Sequence, residues 1–351
     1  MKKELLMATA LVSTLGAASV AQAVTATMSG SMKIGAEFDS PENGVDTQNV
    51  VDLSNFSVSL SETTDGGTTI SSSFGVIDEG ASDIGDDDNS LKLTFTDGSA
   101  LEVLNAGNAL GTHDVAIPGA SGEMGVAGTS TNSAPTGLDF AAPSTALGIE
   151  WHSAADFMMD GLKMSASFST DTGAAKAVTS RTENSWGIGA TYVTSAGDTA
   201  LTIGGGLSGS EVAVLDTQSA ADDGGFTIGV SAVTGDLTVA VGYADGDTTS
   251  GVGSNTNKQV DADVTKAGIS YKASDDLTLA LGLVSGTGTD NIFAGTDTLE
   301  DAHDEVNASV TYTVASGVSA VLGYTTVDQS DEGVSDDTGG SSWYVGATMS
   351  F

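Results

Sequence analysis

The chain has 351 residues, with 46 glycines, 4 prolines and no cysteine, and its 10 Lys+Arg against 47 Asp+Glu leave a formal charge of −37. The missing cysteine excludes a disulfide scaffold, thiolate zinc sites and a cysteine nucleophile, and the acidity argues against a nucleic-acid partner, whose phosphates need Lys and Arg. Hydrophobic residues at 39% and aromatics at 5% are a thin supply for a soluble α/β protein of this length.

Residues 1–23 read as a secretory signal peptide. Lys2 and Lys3 form a positive start, Leu5 to Val20 is apolar or small throughout, and Ala21-Gln22-Ala23 is a small-x-small cleavage signal. A membrane anchor is the competing reading, but the apolar stretch is short and no stop-transfer charges follow it. Cleavage after Ala23 leaves residues 24–351 with 8 basic and 46 acidic side chains. No later stretch approaches the ~18 continuous apolar residues of a spanning helix.

From Thr25 the chain is written in period two. Ala26, Met28, Met32, Ile34, Ala36 and Phe38 alternate with Thr25, Thr27, Ser29, Ser31, Lys33 and Glu37, the signature of a strand with one apolar and one polar face. Fifteen further apolar faces follow. The next five are Phe56-Val58-Leu60, Ile70-Phe74-Val76, Leu91-Leu93-Phe95, Leu101-Val103 and Leu147-Ile149-Trp151. Then come Leu162 to Phe168, Trp186 to Tyr192, Leu201 to Leu207, Phe226 to Val230 and Leu237 to Tyr243. The last are Ala267 to Tyr271, Leu277 to Leu283, Val306 to Tyr312, Val318 to Tyr324 and Trp343 to Phe351. Opposite faces are mostly Ser, Thr, Gly, Asn and Lys. The alternation is weakest near Ile70 and Leu101, where Ile77 and Leu104 fall on the wrong face.

Connections alternate between short turns, such as Thr234–Asp236 and Ala315–Gly317, and long segments. The long ones include Gly209–Gly224, Asp245–Asp261 and, longest, Gly107–Thr145. A soluble sandwich has no reason to alternate turn lengths in this way. A transmembrane barrel does, with short turns at one end, long loops at the other, and strands apolar outside and polar inside. Aromatics near strand ends, among them Phe38, Phe56, Trp151, Phe168, Trp186, Tyr243, Tyr324 and Trp343, suit interfacial girdles. The tandem nonapeptide of a calcium-binding β-roll is absent. The expected fold is therefore all-β: a sixteen-stranded antiparallel transmembrane barrel spanning residues 24–351.

The chain at this point resembles the general diffusion porins of Gram-negative bacteria, of the alphaproteobacterial type. The resemblance rests on the first strand directly after the signal peptide, on the terminal strand Ser342–Phe351 ending in Phe351, and on the longest loop following the fifth strand. It implies an outer-membrane location, a homotrimer, a third loop (107–145) folded into the lumen, and passive diffusion of ions and small hydrophilic solutes. It also implies recognition of Phe351 by the barrel-assembly machinery. It implies no enzyme activity and no cofactor.

On that reading Asp114, Glu123 and Asp139 are constriction-loop acids, and the inward Lys33 and Lys92 face them. Glu37, Glu102, Glu150 and Lys163 are further lumen charges. The excess of acid points to a cation-preferring channel. External runs such as Asp86-Asp87-Asp88, Asp222-Asp223 and Asp336-Asp337 are candidate calcium ligands, though such runs are more often solvated loop tips. His113, His152 and His303 lack the motif of a hydrolase. The alternative function is a structural or adhesin-type outer-membrane barrel with a closed lumen.

Overall fold

A computed structural model describes residues 24–42, 44–78, 90–103, 108–119, 148–170, 180–214, 221–252, 256–292, 298–331 and 338–351. The signal-peptide segment, Asp86 to Asp88, Glu123, Asp139, Asp336 and Asp337 lie outside them.

Among the described residues the strands number sixteen. They are β1 (Thr25–Pro41), β2 (Thr47–Thr63), β3 (Thr69–Asp78), β4 (Ser90–Thr94), β5 (Ala100–Val103), β6 (Gly148–His152), β7 (Leu162–Thr170) and β8 (Ser180–Ala196). β9 (Thr199–Val214), β10 (Ala221–Thr234), β11 (Leu237–Val252), β12 (Thr256–Lys272), β13 (Leu277–Ile292), β14 (Thr298–Ala315), β15 (Val318–Asp331) and β16 (Thr338–Ser350) follow. Each pairs antiparallel with its sequence neighbours, and β1 pairs with β16 to close the barrel. Closure is required in lipid, where an unpaired backbone edge has no water to bond. The seam runs from Ser31 opposite Ser350 to Pro41 opposite Gly340. It is finished by reciprocal bonds between Gly30 and Phe351, at 3.2 and 3.1 Å.

Side-chain alternation then sorts the two faces. Ile228, Val241, Leu279, Leu281 and Leu283 are exposed on the outside, as lipid-facing residues of an isolated barrel must be. Ring pairs bracket this belt. Tyr324 and Trp343 meet as tilted rings with centroids 4.5 Å apart, Phe226 and Tyr243 likewise at 5.9 Å, and Phe56 meets the terminal Phe351 at 6.3 Å. The inner face is not wholly polar: Tyr344, fully buried, packs with Val51, Val321 and Leu53.

Two differences from the period-two reading have physical causes. A register shift in the β2–β3 ladder places Ser57 opposite Gly75 but Phe56 opposite Ile77. The extra residue is a β-bulge, which accounts for the slipped alternation at Ile77. The strands also outrun their apolar faces. Hydrogen-bonded pairing carries β11 on to Val252 and begins β12 at Thr256, so the Asp245–Asp261 segment is mostly strand, and Asp222 and Asp223 lie on β10. Past the aromatic level the outer face meets water, so apolar alternation stops while the backbone ladder continues.

Leu279 and Val310 are paired on the outer face, and Thr278 and Thr311 are paired on the inner. Arg at Leu279 or Val310 should cost about 2–4 kcal/mol near the bilayer midplane, whereas Arg at Thr278 or Thr311 should be tolerated. Refolding yields into lipid that are equal for both pairs would reverse the assignment of faces.

Candidate functional site

Residues 108–119 leave the sheet after β5 and run inside the barrel, along its inner wall from β6–β8 to β14. The root of this segment is bolted down by side chains. Glu150 on β6, buried, accepts from Thr112 Oγ1 at 2.7 Å and from the Asn108 backbone N–H at 3.2 Å. Ser167 on β7 accepts from the Ala109 N–H at 3.1 Å. Ala109 and Leu110 are fully buried, so the root also hides apolar surface from the wet lumen. A single short 3-10 turn follows, Gly111–His113.

His113 joins this turn to the wall. Its Nδ1 lies 2.7 Å from Thr191 Oγ1 and its Nε2 lies 2.9 Å from Ser165 Oγ. The same Ser165 hydroxyl is 3.0 Å from His152 Nδ1, and His152 Nε2 is 3.2 Å from Glu102 Oε2. Glu102 is in turn 3.5 Å from Lys92 Nζ. One chain of polar contacts thus links the loop to β4, β5, β6 and β7. His113 sits on the loop rather than on a strand. Burial first, then the nearby His152 and Lys163, hold its imidazole down to about 4, so it is neutral at pH 7.

Beyond the turn, Asp114 accepts from Thr227 Oγ1 on β10 at 2.7 Å. The far end is fixed by Ser309 on β14, whose hydroxyl donates to Gly119 O at 3.1 Å. Between the segment and β12–β14 lies a cavity of about 510 Å³. Its charged and amide lining is Asp114, Lys266, Glu305 and Asn307. Asn307 Nδ2 steadies Glu305 Oε1 at 2.8 Å.

The expected residues are placed unevenly. Asp114 does stand on the inward segment. Lys92 and Glu102 neutralise one another beside the loop root. Glu150 is not an open lumen charge: it is buried and occupied by the loop, because the segment brings donors that an empty lumen would lack. Glu37 accepts from Ser342 Oγ at 3.2 Å. Lys163, opposite Thr191 on β8, acts on His113. Lys33 stands on β1, whereas the segment lies along β6–β10 and β12–β14. Sequence reasoning missed Glu305, Asn307, Ser309 and the role of the two histidines. The polar alternation of β14 (His303, Glu305, Asn307, Ser309) marks a lumen face but carries no signal for where the loop crosses it.

A closed barrel with a polar lumen and a segment folded along its inner wall defines a transmembrane diffusion channel. The family model described as Gram-negative porin matches residues 8–348, and the chain belongs to that family, whose members are channels of the outer membrane rather than enzymes. Solved structures with similar folds include a porin refined at 1.8 Å, at 16% identity over 93% of this chain and 100% of that one, TM-score 0.59. The trimer form of OmpT of Vibrio cholerae is 16% identical over 93% and 99%, TM-score 0.64. An anion-selective porin from Comamonas acidovorans is 12% identical over 93% and 100%, TM-score 0.63. No curated protein sequence matches.

His113 gives this site a pH signature. Its folded pKa is depressed, so an unseated imidazole takes up a proton first as pH falls below its ordinary 6.5. The seat therefore weakens from 6.5 down to about 4 and then levels off. Thermal release of the barrel in unheated-gel assays should show this loss, and His113→Gln should remove that component. A difference between the two proteins that does not vary with pH would mean His113 acts by packing alone.

Proposed function

We propose that this porin prefers cations over anions and passes small hydrophilic solutes as a homotrimer. The observation that carries the cation preference is the lining of the cavity, where two carboxylates, Asp114 and Glu305, stand against the one ammonium of Lys266. The Lys92–Glu102 ion pair is neutral as a unit, so that wall lysine does not oppose them, and the whole chain carries −37. A low-dielectric passage concentrates counter-ions of the opposite sign, less so as salt rises. The anion selectivity named for the Comamonas porin belongs to a chain only 12% identical. In a KCl gradient the reversal potential should favour potassium, most strongly at low salt, and Asp114→Asn with Glu305→Gln should reduce the preference. A chloride-favouring potential at low salt would overturn it.

The trimer reading is supported by the trimer form of the Vibrio cholerae neighbour and by one outward acid. In the β1–β2 ladder Gly30 faces Phe56 and Phe38 faces Gln48, and Asp52 faces Ile34 midway between them. Val51 and Leu53, on either side of Asp52, belong to the inward cluster around Tyr344, so Asp52 points out from the middle of the apolar belt. A carboxylate there is poorly placed against acyl chains. A second copy of the chain, bringing hydroxyls and backbone, covers it better. Asp52→Lys should shift the detergent-solubilised mass from trimer to folded monomer. A trimeric mass retained in that variant would move the contact to another face, and a monomeric native protein would end the trimer reading.

A further inference from the structure

The inward segment follows a line of wall glycines. Gly189 on β8, Gly204 on β9, Gly229 on β10, Gly268 on β12 and Gly282 on β13 are all buried on the lumen face, on five of the strands along the segment's path. Each is close-packed against the segment. A Cβ added at Gly189 would fall on the carbonyl oxygen of Ala109, at Gly204 on that of His113, and at Gly268 on that of Pro118. At Gly229 it would lie 2.7 Å from Val115 Cβ, and at Gly282 it would meet the Asn307 side chain of the wall first, at 2.5 Å, and stand 3.0 Å from Gly119 Cα of the segment. Separations of 3.0 Å or less leave no room for a side chain, and glycine is the residue that admits so close an approach of another backbone.

We propose that this glycine track is what sets the channel's exclusion limit, by fixing how deeply residues 109–119 sink into the wall. The barrel itself leaves a wide aqueous channel, so the free cross-section is what remains after the segment has taken its place. Its depth is decided by what lies beneath it. The segment is held on both sides of the middle of the track, by Thr227 on Asp114 and by Ser309 on Gly119. A side chain inserted between those ties lifts the segment toward the pore axis rather than releasing it. Val115, almost fully buried over Gly229, is the point where a side chain of the segment, rather than its backbone, meets the track, and hence the position where volume can be exchanged for aperture by substitution on either side.

The test is reciprocal substitution in the full-length protein, read by single-channel conductance and by the size cut-off for sugars in liposome swelling. Gly229→Val should lower both while the protein keeps its heat-modifiable migration. Adding Val115→Gly to it should restore conductance to near the native value. Val115→Ala alone should widen the pore slightly, and it supplies the test should Gly229→Val fail to assemble. A conductance unchanged in Gly229→Val would overturn the proposal. So would a rise, which would show the segment released rather than lifted, or a fall that Val115→Gly does not reverse. A loss of thermal stability alone, with the cut-off unmoved, would reduce the track to a packing feature.

Discussion

The backbone's need for hydrogen bonds in a medium without water governs this molecule. Every strand must find two neighbours, so the sheet closes through β1 and β16. Closure separates an outer face solvated by lipid from an inner face solvated by water. The low hydrophobic content follows, since only alternate side chains on the outside need be apolar. The strands beyond the aromatic rings obey the same rule: pairing continues, but the outer side chains turn polar once the solvent does.

Closure also creates the problem that the inward segment solves. A polar lumen offers a passing loop no continuous apolar surface, so residues 108–119 are held by discrete polar anchors and by fit. Glu150, Ser167, Ser165, Thr191, Thr227 and Ser309 each give or accept a bond. The glycines beneath supply fit by removing volume. Anchors set the segment's path along the wall and glycines set its depth, which are separable properties of one structure.

The charges of the lumen are spent on architecture as well as on permeation. Glu150 looks in sequence like any inward acid, yet the loop root occupies both of its oxygens. Glu102 and Lys92 cancel each other's charge. Where the segment crosses β12–β14, Asp114, Lys266 and Glu305 line one cavity together. The effective field is therefore set by which groups the loop has already engaged, and formal charge is a poor guide to it.

The sixteen strands and their apolar faces were legible in the chain, because side-chain alternation and turn length are local properties that depend on neighbours two residues away; the inward course seen for residues 108–119 was expected only from the family resemblance. The Ile77 irregularity was visible as a break in alternation, but its cause, a bulge in the pairing with β2, needed the partner strand. Strand ends were misjudged because the apolar signal reports the solvent outside, not the hydrogen bond. Asp114 was found because it sits on that loop. Glu305, Asn307 and Ser309 were not, since their importance comes from lying on β14, about 190 residues away, where the segment ends. His113 and His152 are 39 residues apart in sequence and meet through Ser165 only after β7 is in place. The sequence by itself determined which side of each strand meets lipid. Which inward residues become a wall, a bolt or a bed for the loop was decided by the closed barrel alone, because only closure brings β6–β14 around one segment.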